Sequence, residues 1–191
     1  MQPLTLDVLL KSIQSSDDTV RAAARDGAGP VGAKAIAPLA KIAVSAELEI
    51  ARAARQAIQK IVYHAGRPGA GDEAKAVAAE LVALLKSPQP AQFLRDVLWM
   101  VWQIAGEEAV EPVAVLLTSA ELRDDARMAL ERLPGDKAVA ALKAGLASAA
   151  DDFKPNLGHS LRIRGVKTPG VPDLRLIPTK KTSVSPAGRK A

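Results

Sequence analysis

A chain of 191 residues is long enough for one domain with a sizeable core, and 48% of it is hydrophobic while only 3% is aromatic. It contains no cysteine, which excludes disulfides, thiolate metal sites and a cysteine nucleophile, and no stretch approaches the roughly 18 to 20 apolar residues of a membrane span. The net charge of +5 is unevenly placed: residues 1–150 hold 17 Lys and Arg against 18 Asp and Glu, whereas residues 151–191 hold 9 against 3. The body is nearly neutral, and basicity belongs to the C-terminal end.

With so few rings, Ala, Leu, Val and Ile must fill the core. Alanine has the best helix propensity and lets helices approach closely, so the composition points to an all-α fold. Met1 to Leu10 lack a basic leader and a long apolar run. The expectation is a cytoplasmic protein with no membrane association.

Along the chain, Asp17 and Asp18 precede Val20 as N-cap candidates, and Asp72, Asp136 and Asp151 take the same place before later helices. Gly27, Gly29, Pro30 and Gly32 truncate the second helix of the first pair. Gly66, Gly106, Gly135 and Gly165 sit where helices should stop, and Gly66 to Gly71 reads as a flexible connector. Val77, Leu81, Leu84 and Leu85 make one apolar stripe at helical spacing; Val110, Val113, Ala114 and Leu117 make another, and Val139, Leu142 and Leu146 a third. No stretch alternates as a strand would. These signals give ten short helices in five pairs, at about 4–28, 32–65, 72–105, 107–134 and 136–165. Residues 166–191 read as a basic, Pro-containing extension, largely extended or disordered, in which Val171, Leu174, Leu176 and Ile177 are the residues suited to packing along the last pair in extended form and the last dozen residues are expected to be disordered.

A repeat underlies the pairs. Ala35-Ile36-Ala37-Pro38-Leu39-Ala40-Lys41-Ile42 lies on Ala109-Val110-Glu111-Pro112-Val113-Ala114-Val115-Leu116, both reading A-[IV]-x-P-[LV]-A-x-[IL]. The two prolines are 74 residues apart, two repeats of about 37, a length that suits a helix–turn–helix unit. A proline in the first turn is tolerated because that N–H has no partner within the helix. Ala138 to Leu142 keeps the register without the proline.

Asp17-Asp18-Thr19-Val20-Arg21-Ala22-Ala23-Ala24 resembles the D-x-x-V-R-x-x-A opening of HEAT repeats, with echoes at Leu94-Arg95, Leu122-Arg123 and Ile50-Ala51-Arg52. Over residues 4–165 the chain is similar to HEAT-repeat (armadillo-type) proteins, of the short bacterial type related to the repeats of phycobilin lyases. That resemblance implies an α-solenoid, a right-handed superhelix of about five antiparallel pairs. It speaks strongly to fold and hardly at all to function.

Catalytic constellations are missing. The two histidines, His64 and His159, fall in separate pairs, without H-E-x-x-H spacing or an argued Ser–His–acid partner. Gly66 to Gly71 lacks the G-x-x-x-x-G-K-[ST] order of a phosphate loop. The acid pairs Glu107-Glu108 and Asp124-Asp125 match no metal-loop spacing and read as first-turn charges. No cofactor or metal is expected.

Three features remain. Arg21, Arg52, Arg95 and Arg123 recur near the starts of the second helices, where stacking would align them in a ladder. They either bond loop carbonyls and acids of neighbouring pairs, with Asp96, Asp124 and Asp125 as partners, or form a basic stripe. The helix Phe93 to Ile104 is apolar nearly all round. Leu94, Val97, Leu98, Val101 and Ile104 suit a core, while Arg95, Trp99 and Trp102 share a face that either joins that core or anchors a partner. The basic end, with Arg162, Arg164, Lys167, Lys180 and Lys181, is either a solubilising tail or a phosphate-neutralising one; it has no aromatic residue to stack on bases. The expected function is a non-catalytic scaffold or adaptor with an unidentified protein partner. The alternatives are a nucleic-acid-associated protein using the tail, and a lyase-like or enzyme-accessory protein, the last implied only by the resemblance.

Overall fold

The structure, a computed structural model, describes residues 4–45 and 47–173. Among them every regular element is helical. Ten α-helices follow in order: α1 Leu6–Ser12, α2 Asp18–Asp26, α3 Ile36–Ser45, α4 Leu48–Ala65, α5 Gly71–Leu85, α6 Ala91–Ile104, α7 Val110–Val115, α8 Arg123–Arg132, α9 Gly135–Ser148 and α10 Lys154–Ile163. None of the described helices is long and apolar enough to cross a membrane.

Helices neighbouring in sequence pack together as α1/α2, α3/α4, α5/α6, α7/α8 and α9/α10. The second members also pack side by side, α2 on α4, α4 on α6, α6 on α8 and α8 on α10, and the first members do likewise from α3 through α5 and α7 to α9. Two rows of helices enclose one continuous apolar core. Alanine carries much of it: Ala54, Ala57, Ala126 and Ala138 are fully buried, beside Ile58, Leu81, Leu98, Leu130 and Leu142. Small side chains let the backbones close up where rings are scarce.

The repeated A-[IV]-x-P register has a structural counterpart. Each copy opens with a three-residue 3₁₀ turn, Ala33–Ala35 and Glu107–Ala109, and the α-helix then begins at Ile36 or Val110. Each proline is thus the third residue of its helix, where the absent N–H costs no intrahelical bond.

The terminus signals are only partly right. Asp17 caps α2, its Oδ1 accepting from Thr19 N at 2.8 Å and Val20 N at 3.3 Å. Asp72 and Asp136 instead lie inside the first turns of α5 and α9, and Asp151 precedes α10 without capping it. There they contribute charge near the helix N-terminus rather than a capping bond. Gly165 ends α10 at φ +78°, with Val166 N–H bonded back to Leu161 O at 2.9 Å, the left-handed stop that glycine favours. Gly135, at φ +82°, opens α9 rather than closing α8. The Gly66–Gly71 connector is tied across by Arg67, which donates to His64 O at 2.6 Å and pairs with Glu73 at 2.6 Å, and Arg67 holds the Glu73 carboxyl below its ordinary range.

Candidate functional site

The second-helix row carries the polar stripe of α4. Arg52, Arg55, Gln56, Gln59 and Tyr63 recur at helical spacing opposite the buried Ala51, Ala54, Ile58, Ile61, Val62 and Ala65. That stripe faces α6 across a groove of about 210 Å³ lined by Arg52, Arg55, Gln56, Gln59, Asp96, Trp99 and Met100. The open surface continues toward α2, past Arg25, Asp26, Lys60 and Tyr63.

The aromatic residues divide sharply. Phe93 and Phe153 are buried in the core. Tyr63 and Trp99 are 56% and 48% exposed, and both border this surface. Trp99 meets Trp102 edge to face with ring centroids 5.2 Å apart, and the Arg132 guanidinium lies over Trp102 at 5.1 Å. Trp102 is therefore wedged between a ring and a cation, and it holds Trp99 outward at the groove edge. On the opposite side of α6, Leu94, Val97, Leu98 and Val101 are buried as the helical stripe requires, while Ile104 is only partly buried. So α6 supplies core with one face and an exposed indole with the other.

Arg95 does not point its charge into the groove. Its Nη2 donates to Glu121 O at 3.0 Å and its Nε lies 3.5 Å from Asp125, tying α6 to the loop and first turn of α8. The rest of the arginine series is also engaged. Arg21 donates to Ser15 O at 2.6 Å and pairs with Asp18; Arg52 pairs with Glu49 at 2.9 Å; Arg123 pairs with Asp152 at 2.6 Å, over the Phe153 ring. The pairing with Arg123 holds the Asp152 carboxyl below its ordinary range. Arg95 and Arg123 thus reach a loop carbonyl or an acid of the following pair, as one of the two readings expects, whereas Arg21 and Arg52 are held by acids and a carbonyl within their own pair.

Asp96 is placed by the same row. It meets Arg55 rather than Arg52, at 3.9 Å, too far for a hydrogen bond. Burial pushes the Asp96 carboxyl above its usual range, and the attraction of Arg55 opposes this. Arg55 anchors itself elsewhere, donating from Nη2 to Ala43 O at 3.2 Å near the end of α3, while its buried Nε has no hydrogen-bond partner. Gln59 donates to Tyr63 Oη at 2.7 Å, and Arg25 donates to Gln56 Oε1 at 3.2 Å, which fixes both groove amides.

The basic end separates into two kinds of residue. Arg164 donates to the carbonyls of Glu131 at 3.1 Å and Leu133 at 2.5 Å and to Gly135 O at 2.9 Å, closing the C-terminus of α8 where the helix dipole is negative. Arg162 donates to Thr168 Oγ1 at 2.6 Å and Pro172 O at 3.3 Å, and its contact with Asp173 at 3.3 Å is an ion pair. Through it, residues 166–173 fold back on α10, and Val171 packs so close to Gly158 that a Cβ there would come within 2.6 Å of it. Lys167 is exposed; Lys180 and Lys181, like Leu174, Leu176 and Ile177, lie outside the described residues. No group of three His, Asp or Glu residues disposed to hold a metal ion occurs among the described residues.

Arg95, Trp99 and Trp102 stand out in the sequence, whereas Arg55, Gln56, Gln59 and Tyr63 do not. The signal was present as a polar stripe with the same 3.6-residue period as the apolar one it opposes. Compared with known proteins, the sequence matches no family model, and no curated protein matches it.

Proposed function

We propose that this protein is a non-catalytic interaction scaffold, an α-solenoid of HEAT-like helix pairs that holds a protein partner along its row of second helices. The observation that carries the reading is Trp99: a half-exposed indole, braced by Trp102 and Arg132, at the edge of the α4/α6 groove. An exposed aromatic residue with a rigid backing loses little freedom on binding and offers a large contact area, the usual composition of an interface anchor. The two rows of side-by-side helices support the solenoid part of the reading, because such stacking turns short units into one extended surface.

The engaged state of Arg21, Arg52, Arg95, Arg123, Arg162 and Arg164 counsels against phosphate binding as the main activity, since each cation already has a partner within the chain. The test is affinity capture with three immobilised proteins: the intact chain, Trp99→Ala, and a chain ending at Asp173, which keeps the contacts of Arg162. A scaffold retains its partner on truncation and loses it with Trp99→Ala. Capture that disappears on truncation, or that falls steeply with salt and nuclease, would place the activity in the tail instead.

A further inference from the structure

We propose that the α4/α6 groove receives one carboxylate, the side chain of a Glu or Asp in the partner's docking segment, between the guanidinium groups of Arg52 and Arg55 and beside the indole of Trp99. The inference rests on the scaffold reading above and names the chemistry of the occupant. Unfilled hydrogen bonding is the first argument. Among the described residues Arg55 bonds only through Nη2, to Ala43 O; its Nε is buried without an acceptor, and Asp96 stays 3.9 Å away. A guanidinium has five N–H groups to place, and Arg55 lacks the set of acceptors that Arg164 finds in three carbonyls. Arg52 bonds only through Nη1, to Glu49, which lines the neighbouring surface toward α2 and not this groove. Both members of that pair are about half exposed, and such a pair holds its arginine weakly. Gln56 accepts from Arg25 through Oε1, which leaves its NH₂ to donate.

Charge is the second argument. The lining holds two guanidinium groups and one carboxylate, that of Asp96. One monovalent anion brings this sum to zero. An ammonium group would add to the existing excess. A dianionic phosphate would overshoot it, beside an Asp96 whose own charge burial already disfavours. A carboxylate is also planar and matches the fork of a guanidinium. About 210 Å³ is below the range of roughly 300 to 1,000 Å³ typical for whole small-molecule ligands, but it suits one side chain entering from a longer segment. The half-exposed Trp99 offers apolar surface to the aliphatic stem of that side chain.

The test uses terminally blocked twelve-residue peptides of Ser, Ala and Leu that differ only in one central residue, Glu, Gln, Lys or phosphoserine. They are dye-labelled and titrated into the full-length protein by fluorescence anisotropy. The Glu peptide is expected to bind about tenfold tighter than the Gln and Lys peptides, and tighter than the phosphoserine peptide. Arg52→Gln should remove most of that preference, whereas Lys41→Gln, which removes the same charge from the exposed side of α3, should not. Asp96→Asn takes away the competing carboxylate and should tighten the Glu peptide about threefold while leaving the Gln peptide unchanged. Circular dichroism melts establish that the variants are folded. In nitrogen-15 spectra of the full-length protein, the Arg55 Nε–H signal should move on adding the Glu peptide and stay in place with the Gln peptide. Equal affinity for the Glu and Gln peptides, tighter binding of the Lys or phosphoserine peptide, no binding of any peptide, or weaker Glu binding by Asp96→Asn overturns the proposal. The scaffold reading fails separately, when capture by the intact protein does not depend on the second-helix row at all.

Discussion

Leu98 and Trp99 are adjacent on α6, yet they face opposite environments, so truncating each to alanine should give separable outcomes. Leu98 is 1% exposed in the middle of the core, flanked by Val97 and Val101. Leu98→Ala removes its contacts and leaves a cavity that the helices on either side cannot fully close, a loss of about 2 to 5 kcal/mol. Trp99 is 48% exposed. A fully buried Trp covers up to about 250 Å², so about half of that, at ~25 cal/mol per Å², bounds its contribution near 3 kcal/mol. Alanine retains part of that burial, the unfolded chain is already partly compact, and the better helix propensity of alanine returns about half a kcal/mol. The net cost of Trp99→Ala is then about 1 kcal/mol. With a urea m-value near 2 kcal/mol/M, the midpoint should fall by about 1.5 M for Leu98→Ala and about 0.5 M for Trp99→Ala. Equilibrium urea unfolding followed by far-ultraviolet circular dichroism reads both. Equal losses of 1.5 M would make Trp99 a core residue and refute its role as an exposed anchor; equal small losses would refute the packing of α6.

Ser160 is fully buried between α8 and α10; it accepts from Arg127 Nη1 and donates to Glu131 Oε2, each at 2.7 Å. Ser160→Ala strips a partner from both charged groups and should cost about 1 to 3 kcal/mol by urea unfolding, and an unchanged midpoint would show that Arg127 and Glu131 satisfy each other. Asp96 gives a signed pH prediction: its folded-state pKa is raised by burial, so its contribution to stability is fully present below the ordinary value of 3.8 and is lost as pH rises through the raised one. Asp96→Asn should therefore melt at or above the wild-type temperature at pH 7 and lose that advantage at pH 3. A lower melting temperature at pH 7 that recovers in acid would mean that the Arg55 pairing outweighs desolvation.

The helices themselves were legible in the sequence because their apolar stripes are local and periodic. The shared register around Pro38 and Pro112 even marked a common local device, the 3₁₀ turn that leads into α3 and α7. Asp72 and Asp136 were misplaced because an N-cap depends on where the first helical residue falls, and a shift of two residues turns a cap into a first-turn charge. In the sequence Arg164 reads as part of the basic tail, since nothing in its neighbourhood reveals carbonyl partners some 30 residues earlier in the chain. Such reach belongs to tertiary packing. The Asp96–Arg55 pairing, with an arginine outside the recurring series, has the same origin: which turn of α4 meets α6 is set by how the helices stack. By contrast, the question of core or surface for Trp99 is visible in the sequence, and the structure leaves its indole half-exposed while Trp102 packs partly buried against the core.

The proposed partner lies in the groove between α4 and α6 and not on the first-helix row or the tail. Site-specific photo-crosslinking tests it most directly, with a photoreactive amino acid placed in turn at Gln59 in the groove, at Val115 on the exposed side of α7, and at Lys180 in the tail. Partner adducts are expected from Gln59 and none from Val115 or Lys180. Adducts from Val115 or Lys180 with none from Gln59 would contradict it.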